Sequence, residues 1–426
     1  MSVDGILKDA LSTCVKCGAC QAVCPVYDIL KTERSVARGK IALIEALSKS
    51  DLELSDSLYE ALSQCILCTS CRETCSANVE IERIIAGARE IALNKKGMPP
   101  LKKAVLKILS AKTSSKNPVF KTAGLIQKVL LKKIPTTSGL LYRGIFLPGE
   151  EKLIPEIAAK TFHQRFENHE SDKSRSACSA IFFQGCTINY IYPHIGEATV
   201  SVIRKGGFTP LILPEQFCCG LPSYFSGDRE TALTLAMSNL ELFSKYDFEY
   251  IVVACASCGA AFKNIYPILF EKNNAMKSQW DKFKERVIDI SQFTEGPGRK
   301  QITELLNKNN RERKLKVTYH DPCHLRKSQE VVNEPRKLIK MLSNVTLVEM
   351  EGSADCCGFG GMFSLENEKL SSEINRRKTE KIMATGADMV LTGCPGCIMQ
   401  INRGLARAGG KQSVKHWVEL LDEATG

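Results

Sequence analysis

Apolar residues recur with two different periods along this chain of 426 residues. In the first 90 residues the period is helical, and the stretch 35–62 places its apolar side chains near one helical face, with no strand pattern. Beyond residue 176, short apolar runs alternate with helical patterns, which predicts parallel α/β sheets. The predicted strands are 180–184, 209–213, 250–254, 316–320, 346–349 and 389–392, with helices such as 230–245 and 370–385 between them.

The region of predicted sheets contains an internal repeat of cysteines. Each half carries a lone cysteine, a Cys-Cys-Gly sequence and a Cys-x-x-Cys sequence, in the same order and at nearly the same spacing. Each group follows a predicted strand, and sites in parallel sheets form at the carboxyl ends of strands, so we expect each set to converge. The sets are Cys186, Cys218, Cys219, Cys255 and Cys258 in the first half, and Cys323, Cys356, Cys357, Cys394 and Cys397 in the second.

Five thiolates in each half exceed the four ligands of a tetrahedral zinc ion and the four of a simple iron–sulfur cube. An unusual cluster with bridging thiolates would use all five. The glycine after each cysteine pair allows the backbone to turn tightly beside a metal. A zinc site with one spare thiol in each half is the alternative interpretation.

The eight cysteines of the first 90 residues form two groups with the C-x-x-C-x-x-C-x-x-x-C spacing of ferredoxins. Pro25 follows the first group, whereas Ser76 stands at the same place after the second. In this spacing three close thiolates hold one [4Fe–4S] cube and the fourth reaches the other cube. A zinc site has no use for the doubled pattern. The expected ligands are Cys14, Cys17, Cys20 and Cys75 for one cluster, and Cys65, Cys68, Cys71 and Cys24 for the other.

Both halves of the repeat resemble the cysteine-rich CCG domain of heterodisulfide reductase subunits and of the iron–sulfur subunits of glycolate and lactate oxidases. Two ferredoxin motifs followed by two such domains resemble the glycolate oxidase iron–sulfur subunit along almost the whole chain. The resemblance implies one or two noncubane [4Fe–4S] clusters beside the two cubes; in heterodisulfide reductase relatives such clusters split a disulfide. The motifs that carry it are 217–222, 320–324, 356–361 and 393–400.

These patterns together predict a multidomain α+β chain. We expect a helical ferredoxin domain with two [4Fe–4S] clusters at 1–90 and a basic, partly helical connector at 91–175. Two CCG domains, each with a parallel sheet, are expected at 176–310 and 311–426.

The net positive charge of the chain is concentrated in the connector. The stretch 91–148 has eleven lysines, one arginine and no acidic residue, so its charge exceeds the surplus of +11 of the whole chain. Two pieces are amphipathic: Leu101, Val105 and Ile108 share one face, and the same pattern recurs near 125–130. One interpretation is two surface helices packed on the domains. The other is contact with an acidic partner or an anionic membrane.

The bulk properties limit where the protein functions. No run of eighteen apolar residues occurs, and the first residues do not resemble a signal peptide. We therefore expect a cytoplasmic protein, peripheral to the cytoplasmic face of the membrane if the connector binds lipid. In that reducing compartment nineteen cysteines are expected to bind metal rather than form disulfides. Because the positive charge is local, we expect no nucleic-acid partner.

A few further residues have two interpretations each. Cys178 remains after eighteen cysteines are assigned, and a lone cysteine is typically a small buried hydrophobe. His320 and His324 flank Cys323, where they either pack beside the strand end or relay a proton or donate a hydrogen bond to a cluster sulfur. The basic residues Arg326, Lys327 and Arg336 either steer an anion and balance cluster charge or, as we expect, form a solvated face.

Three functions are compatible with these features. The leading hypothesis is an electron-transfer subunit of a multi-subunit 2-hydroxyacid (glycolate or lactate) oxidoreductase, which passes electrons from a flavoprotein to a quinone or another acceptor. The flavin would belong to that partner, because this chain has neither a Rossmann glycine fingerprint nor a P-loop. The second is disulfide cleavage at a noncubane cluster. The third is a connecting subunit that accepts electrons from an electron-transfer flavoprotein through the basic connector.

Overall fold

A computed structural model describes residues 5–133, 140–142, 153–166, 178–213, 215–308 and 314–426. The helical character of the N-terminal region is confirmed, with six helices and no strand between residues 5 and 96. Short 3₁₀ turns lie at Ala19–Gln21 and Glu33–Ser35. The helices are α1 (Gly5–Ser12), α2 (Pro25–Leu30), α3 (Ala37–Ser48), α4 (Asp56–Ser63), α5 (Ser70–Glu73) and α6 (Ile81–Lys96).

The single helical stretch predicted over 35–62 is wrong, because α3 and α4 are separate helices joined by a loop. Ser50 adopts a left-handed backbone with φ of 65°, which helical geometry does not allow. The Ser55 hydroxyl then accepts a hydrogen bond from the Leu58 amide at 3.2 Å and caps α4. Both helices, with α6, still bury their apolar faces in one small core.

The connector begins with two helices, α7 (Pro100–Ser110) and α8 (Thr113–Leu130). Three short strands follow and pair antiparallel in the order β1 (Lys132–Lys133), β2 (Leu140–Tyr142), β3 (Ile154–Pro155). The helix α9 (Phe162–Phe166) ends the described part of the connector.

The connector helices expose part of the apolar face that the sequence indicated. Leu101, Leu125 and Val129 are 72%, 59% and 83% exposed, whereas Lys102 is buried. Lys102 Nζ lies 2.9 Å from a carboxylate oxygen of Glu366 in the C-terminal part of the chain, and Leu106, four residues further along the same side of α7, is buried. Leu101 therefore faces away from the rest of the molecule.

Each half of the repeat forms one four-stranded parallel sheet. The first half has strands β4 (Ser179–Phe183), β5 (Thr209–Leu211), β6 (Tyr250–Val253) and β7 (Val287–Asp289). Its helices are α10 (Gly185–Tyr190), α11 (Pro193–Lys205), α12 (Leu221–Phe225), α13 (Arg229–Phe243), α14 (Ala256–Ala260), α15 (Tyr266–Phe270), α16 (Asn274–Lys284), α17 (Ile290–Glu295) and α18 (Arg299–Lys308), with a π-helical turn at Ala261–Ile265.

The second half repeats this architecture with fewer helices. Its strands are β8 (Leu315–His320), β9 (Val345–Leu347), β10 (Met389–Thr392) and β11 (Ser413–His416). Its helices are α19 (Cys323–Gln329), α20 (Glu334–Met341), α21 (Phe363–Glu366), α22 (Glu368–Ala384), α23 (Pro395–Ala408) and α24 (Trp417–Ala424). All six predicted strands are present, within two residues at most ends.

Strand order is the same in the two sheets. The first runs β5-β4-β6-β7 and the second β9-β8-β10-β11, with every pair parallel. The fold class predicted from the sequence is confirmed. In this order the chain reverses direction across the sheet between the first and third strands, and parallel sheets bind ligands at that point. The cysteine sets follow these strands. The two carboxyl edges face each other because α14 of the first half packs against α19 of the second.

Candidate metal centres

The two ferredoxin-type loops share one backbone conformation. Lys16 and Leu67, two residues after the first cysteine of each group, both have φ of 57°, and Gly18 and Thr69 are also left-handed. These turns wind each loop around a small space, as expected where three cysteines of one group face one metal cluster. Only one of the four residues is glycine, so the other three adopt a backbone that L-residues rarely take.

The structure brings the first cysteine group together with the last cysteine of the second group. A small cavity of about 30 Å³ lies between them, beside Ile41 and Arg38. Cys71, which the spacing assigns to the other cluster, also borders this cavity, so the two groups are immediate neighbours. The cysteines around the cavity are Cys14, Cys17, Cys20, Cys71 and Cys75.

The remaining cysteine of the first group lies with the second group. Cys24 is near Cys65 and Cys68, and burial raises the pKa of its thiol to about 11. Cys68 is buried and hydrogen bonds to Cys356 of the second sheet domain, which raises the pKa of Cys68 well above its usual value. This group therefore touches one of the five-cysteine sets directly.

Both five-cysteine sets line one cavity of about 150 Å³ between the two sheets. Cys65 of the ferredoxin-type region also reaches this cavity, with Phe225 and His324 at its wall. The sheet-domain cysteines lie in the loops that follow the parallel strands or on the helices after those loops. The ten that surround the cavity are Cys186, Cys218, Cys219, Cys255, Cys258, Cys323, Cys356, Cys357, Cys394 and Cys397.

Thiols in this cavity are close enough to share protons. Cys218 donates to Cys219 and lowers the pKa of Cys219 to about 6. A hydrogen bond from Cys255 lowers the pKa of Cys394, and this bond links the two halves. Cys357 and Cys397 are 3.6 Å apart between their Sγ atoms. Sulfur atoms that share protons at such spacing are positioned to share metal ions instead.

The chemistry of these residues fits iron–sulfur clusters. Among the described residues all nineteen cysteines are free thiols, including several that lie in contact with one another. Thiolates are the ligands of such clusters. Cys178 was expected to be buried, but it is exposed at the surface and apart from both sets, which corrects that expectation.

Two cationic side chains that the sequence patterns did not reveal lie beside the second ferredoxin-type group. Lys40 is 1% exposed, and its ammonium donates to the Ser35 carbonyl. Arg89 is half-buried and donates five hydrogen bonds to backbone carbonyls, including that of Cys65 at 2.6 Å. A sequence signal did exist for Lys40. It precedes Ile41 and lies four residues before Ile44, so it falls on the apolar face of a predicted helix.

The two histidines beside Cys323 occupy different surroundings. His324 joins three parts of the molecule, with its Nε2 3.1 Å from the Leu67 carbonyl and its Nδ1 3.1 Å from the Ser257 hydroxyl. His320 is completely buried, and burial lowers its pKa to about 3. Within the described ranges neither ring nitrogen of His320 meets full hydrogen-bond geometry.

The expected solvated basic face at 326–336 is wrong. Arg336 forms a bidentate pair with the buried Asp321 at 2.7 and 2.8 Å. Lys327 donates to the Ser70 hydroxyl at 2.6 Å and is almost entirely buried. Lys327 therefore joins the second sheet domain to the ferredoxin-type region, as does Arg326 through Glu73 at 3.5 Å, whereas Arg336 forms its pairs within the second sheet domain.

Comparisons with known proteins agree with this architecture. A family model described as a 4Fe-4S dicluster domain matches residues 10–79, and one described as a cysteine-rich domain matches 180–263 and 317–402. The chain is 28% identical to a probable glycolate oxidase iron–sulfur subunit of Bacillus subtilis, over 98% of this chain and 94% of that protein. It is 30% identical to a lactate utilization protein of Bacillus cytotoxicus, over 56% of this chain and 97% of that protein.

Two further similarities complete this comparison. The chain is 32% identical to one subunit of a fumarate reductase (CoM/CoB) of Methanothermobacter marburgensis, over 64% of this chain and 52% of that protein. A crystal structure of a hypothetical protein from Helicobacter pylori has a TM-score of 0.51 at 12% identity, covering 91% of this chain and 67% of that one. The latter similarity concerns the fold alone.

A helical dicluster region followed by two five-cysteine parallel-sheet domains defines an iron–sulfur protein with an electron-transfer role. The chain belongs to the glycolate oxidase iron–sulfur subunit family, as the resemblance seen in the sequence implied. Its homologues include subunits of oxidoreductase complexes. In the part of the chain that the structure describes, no helix combines the length and the apolar character needed to cross a bilayer.

Proposed function

We propose that this chain is the electron-transfer subunit of a multi-subunit 2-hydroxyacid oxidoreductase, in which a flavoprotein partner oxidises glycolate or lactate. The observation that supports this most is the uninterrupted series of cysteine contacts from the surface to the central cavity. The series begins at the exposed Cys17 and passes through the junctions Cys68–Cys356 and Cys255–Cys394. Neighbouring cofactors in such a series can exchange single electrons.

The proposed relay passes through four centres, each held by its own set of cysteines. Cys14, Cys17, Cys20 and Cys75 would hold the cube at which electrons enter. Cys24, Cys65, Cys68 and Cys71 would hold the next cube, and the cysteine sets of the second and then the first sheet domain would hold the last two centres. A flavin hydroquinone in the partner would release its two electrons one at a time into this relay, and its protons would stay with the partner or the solvent.

Reconstitution with a candidate flavoprotein tests the proposal. The holo-chain should increase the rate at which substrate electrons reach a quinone analogue. Cys356→Ala, at the junction between cube and sheet domain, should leave both cubes reducible and slow acceptor reduction at least tenfold. Cys178→Ser is the matched control, because it removes a thiol outside all four sets. Acceptor reduction that is the same with and without this subunit would refute the proposal.

A second candidate function rests on the central cavity itself. Both five-cysteine sets border one cavity of about 150 Å³ with a largely apolar wall, and one relative is a subunit of a fumarate reductase (CoM/CoB). We propose, as the alternative, that a disulfide is reduced there: two electrons and two protons convert one disulfide into two thiols. Adding disulfides to the reduced holo-protein should then reoxidise the clusters. If cluster spectra do not respond to any disulfide, this alternative fails.

Iron and acid-labile sulfide per chain separate the cofactor hypotheses. Four clusters of four irons would give about 16 irons in protein purified without oxygen. About 8 irons with zinc present would leave two cubes and reduce the sheet domains to a structural role.

We also propose that the connector faces an anionic membrane surface, where a quinone acceptor is found. Its exposed leucines and valines alternate with exposed lysines and have no acidic side chain among them, which is the composition of helices that lie at lipid surfaces. The alternative is that the same surface binds the flavoprotein partner or an electron-transfer flavoprotein. The exposed residues are Leu101, Lys103, Lys107, Ile108, Lys121, Leu125, Ile126, Lys128 and Val129.

A further inference from the structure

The internal repeat allows the two five-cysteine sites to be compared residue by residue. Phe183 ends strand β4, three residues before Cys186, and His320 ends strand β8, three residues before Cys323. Their places in the sheets also match, because Phe183 pairs with the last residue of β6 and His320 with the last residue of β10. One half therefore has a phenyl ring where the other has an imidazole.

The surroundings of Phe183 are apolar and suit its side chain. It is completely buried, and its ring lies 4.7 Å from that of Phe262 and 6.2 Å from that of Phe243, both in edge-on geometry. Such an aromatic cluster needs no polar partner. The first half therefore offers its cysteine set no hydrogen-bond donor from this position.

The surroundings of His320 do not match the polar character of its ring. It is equally buried, and among the described residues neither ring nitrogen meets full hydrogen-bond geometry, although the Ser353 backbone lies close to the ring. Leaving buried polar atoms unpaired is energetically unfavourable. A native chain keeps such a residue where a further group completes the pairing.

Cysteine sulfurs are the groups that the ring faces. One ring nitrogen of His320 and the Sγ atoms of Cys357 and Cys397 all lie within 4.8 Å of one another. A neutral imidazole carries one N–H donor, and a metal-bound sulfur is an acceptor for it. One ring nitrogen thus lies near these sulfurs, where a cofactor that they held would offer an acceptor for its N–H.

Charge alone does not distinguish the two sites. The ammonium of Lys378 lies near Cys357 and donates to the Gly352 and Ser353 carbonyls at 2.7 and 3.1 Å. The first half has a comparable cation, because the buried Lys116 lies near Cys186. The difference between the halves is therefore the imidazole.

We propose that His320 donates a hydrogen bond to a sulfur of the cofactor in the second half, and that this bond makes the two sheet-domain centres electronically unequal. A hydrogen bond to cluster sulfur stabilises the reduced, more negative state and raises the reduction potential. The centre beside Cys68 would then hold an electron more readily than its otherwise similar neighbour. The inference rests on the proposed cofactor of the second half, but not on the identity of the electron donor or acceptor.

Three variants of the full holo-chain test this. His320→Phe copies the first half, His320→Gln restores an N–H donor, and Phe183→His installs the imidazole in the first half. Each is purified without oxygen, checked for iron content, and titrated while the clusters are followed by electron paramagnetic resonance. His320→Phe should lower the potential of one sheet-domain centre and leave both cubes unchanged. His320→Gln should recover part of that shift.

Isotope labelling supplies a readout that a packing role would not change. In protein labelled with ¹⁵N-histidine, pulsed electron paramagnetic resonance of the paramagnetic oxidation state should show one nitrogen coupled to a sheet-domain centre. The coupling should disappear in His320→Phe, although His324 and His416 remain. Phe183→His should create a second such coupling.

Two results would overturn the inference. One is a nitrogen coupling that persists in His320→Phe or is absent from the wild-type centre, with no change in any potential. The other is about 12 irons per chain that do not decrease when Cys356 and Cys357 are replaced, because the second half would then hold no cluster. That second result would leave electron transfer through the other clusters intact, so it is distinguishable from failure of the proposed function.

Discussion

Replacing Lys40 by methionine removes a positive charge from the interior beside the second ferredoxin-type cysteine group. Lys40 is 1% exposed, and burial lowers the pKa of its ammonium, while the nearby sulfurs of Cys65, Cys24 and Cys71 act in the opposite direction. Those three cysteines belong to the proposed ligand set of the second cube. A methionine fills almost the same volume without the charge, so the change isolates the electrostatic effect.

The magnitude follows from Coulomb's law. Unit charges about 5 to 8 Å apart interact by about 2 to 3 kcal/mol at an effective dielectric constant of about 20. Reduction adds one negative charge to the cluster, and about 1.4 kcal/mol corresponds to about 59 mV for one electron. Lys40→Met should therefore lower the potential of the second cube by about 90 to 130 mV. The lost hydrogen bond to Ser35 should destabilise the fold by about 1 to 2 kcal/mol, which a cluster-bearing domain tolerates.

An anaerobic redox titration followed by electron paramagnetic resonance measures this shift. Lys49→Met is the matched control, because Lys49 caps the end of the same helix and is exposed, with Glu45 as its ion-pair partner at 2.8 Å. Solvent and salt screen that charge, so the control should show no resolvable shift. Normal iron content with an unchanged potential in Lys40→Met would refute the reasoning, as would an equal shift of both cubes.

Three further outcomes are expected. Arg336→Met leaves the carboxylate of Asp321 buried without its bidentate partner, so it should destabilise the holo-protein by about 3 kcal/mol in denaturant unfolding. The control Arg376→Met changes an exposed side chain and should leave the unfolding midpoint unchanged. Equal midpoints for the two variants would contradict this prediction. Cys178→Ser should retain all iron and every cluster signal, and loss of iron would make Cys178 a ligand. Binding of the protein to anionic vesicles, measured by co-sedimentation, should weaken at least tenfold when four exposed connector lysines are replaced by glutamine, and neutral vesicles should bind neither form. If the substitutions abolish the flavoprotein complex instead, the surface belongs to that partner. The four lysines are Lys103, Lys107, Lys121 and Lys128.

Most of the fold could be predicted from cysteine spacing and strand periodicity, because both are local features of the sequence. A strand such as Met389–Thr392 is a short apolar run followed at once by Cys394, and its limits were predicted to the residue. The fourth strand of each sheet was missed. Val287–Asp289 and Ser413–His416 are edge strands of three and four residues that include charged or polar side chains, so they lack the apolar run of a central strand.

Contacts between distant parts of the chain left no such local signal. Lys102 is buried because its partner is Glu366, and no spacing rule connects positions so far apart. The same holds for the outward-facing leucines of the connector. The domain limits and the ligand sets taken from the sequence stay predictions, although every cysteine that they name lies beside the others of its proposed set or borders the same cavity.

The order of the proposed relay depends on one helix. In the second half α19 begins at Cys323 and turns three polar side chains toward the second ferredoxin-type loop: His324 to the Leu67 carbonyl, Lys327 to Ser70 and Ser328 to Thr69.

In the first half the corresponding helix, α10, faces the connector instead. Its Tyr190 stacks on Phe120 with ring centroids 3.9 Å apart, and its hydroxyl lies 3.3 Å from Asn117. The ferredoxin-type region contacts both halves, since α6 packs against α12 and Arg83 pairs with Glu271 at 2.6 Å, but the hydrogen bonds of its second cysteine loop to Ser328, His324 and Lys327 go to one half, the second. Because the cysteine pattern is the same in both halves, it could not reveal which one. In the proposed relay, the contact of Cys68 with Cys356 would make the second half the nearer centre for an electron leaving the cubes, and the first half the farther one.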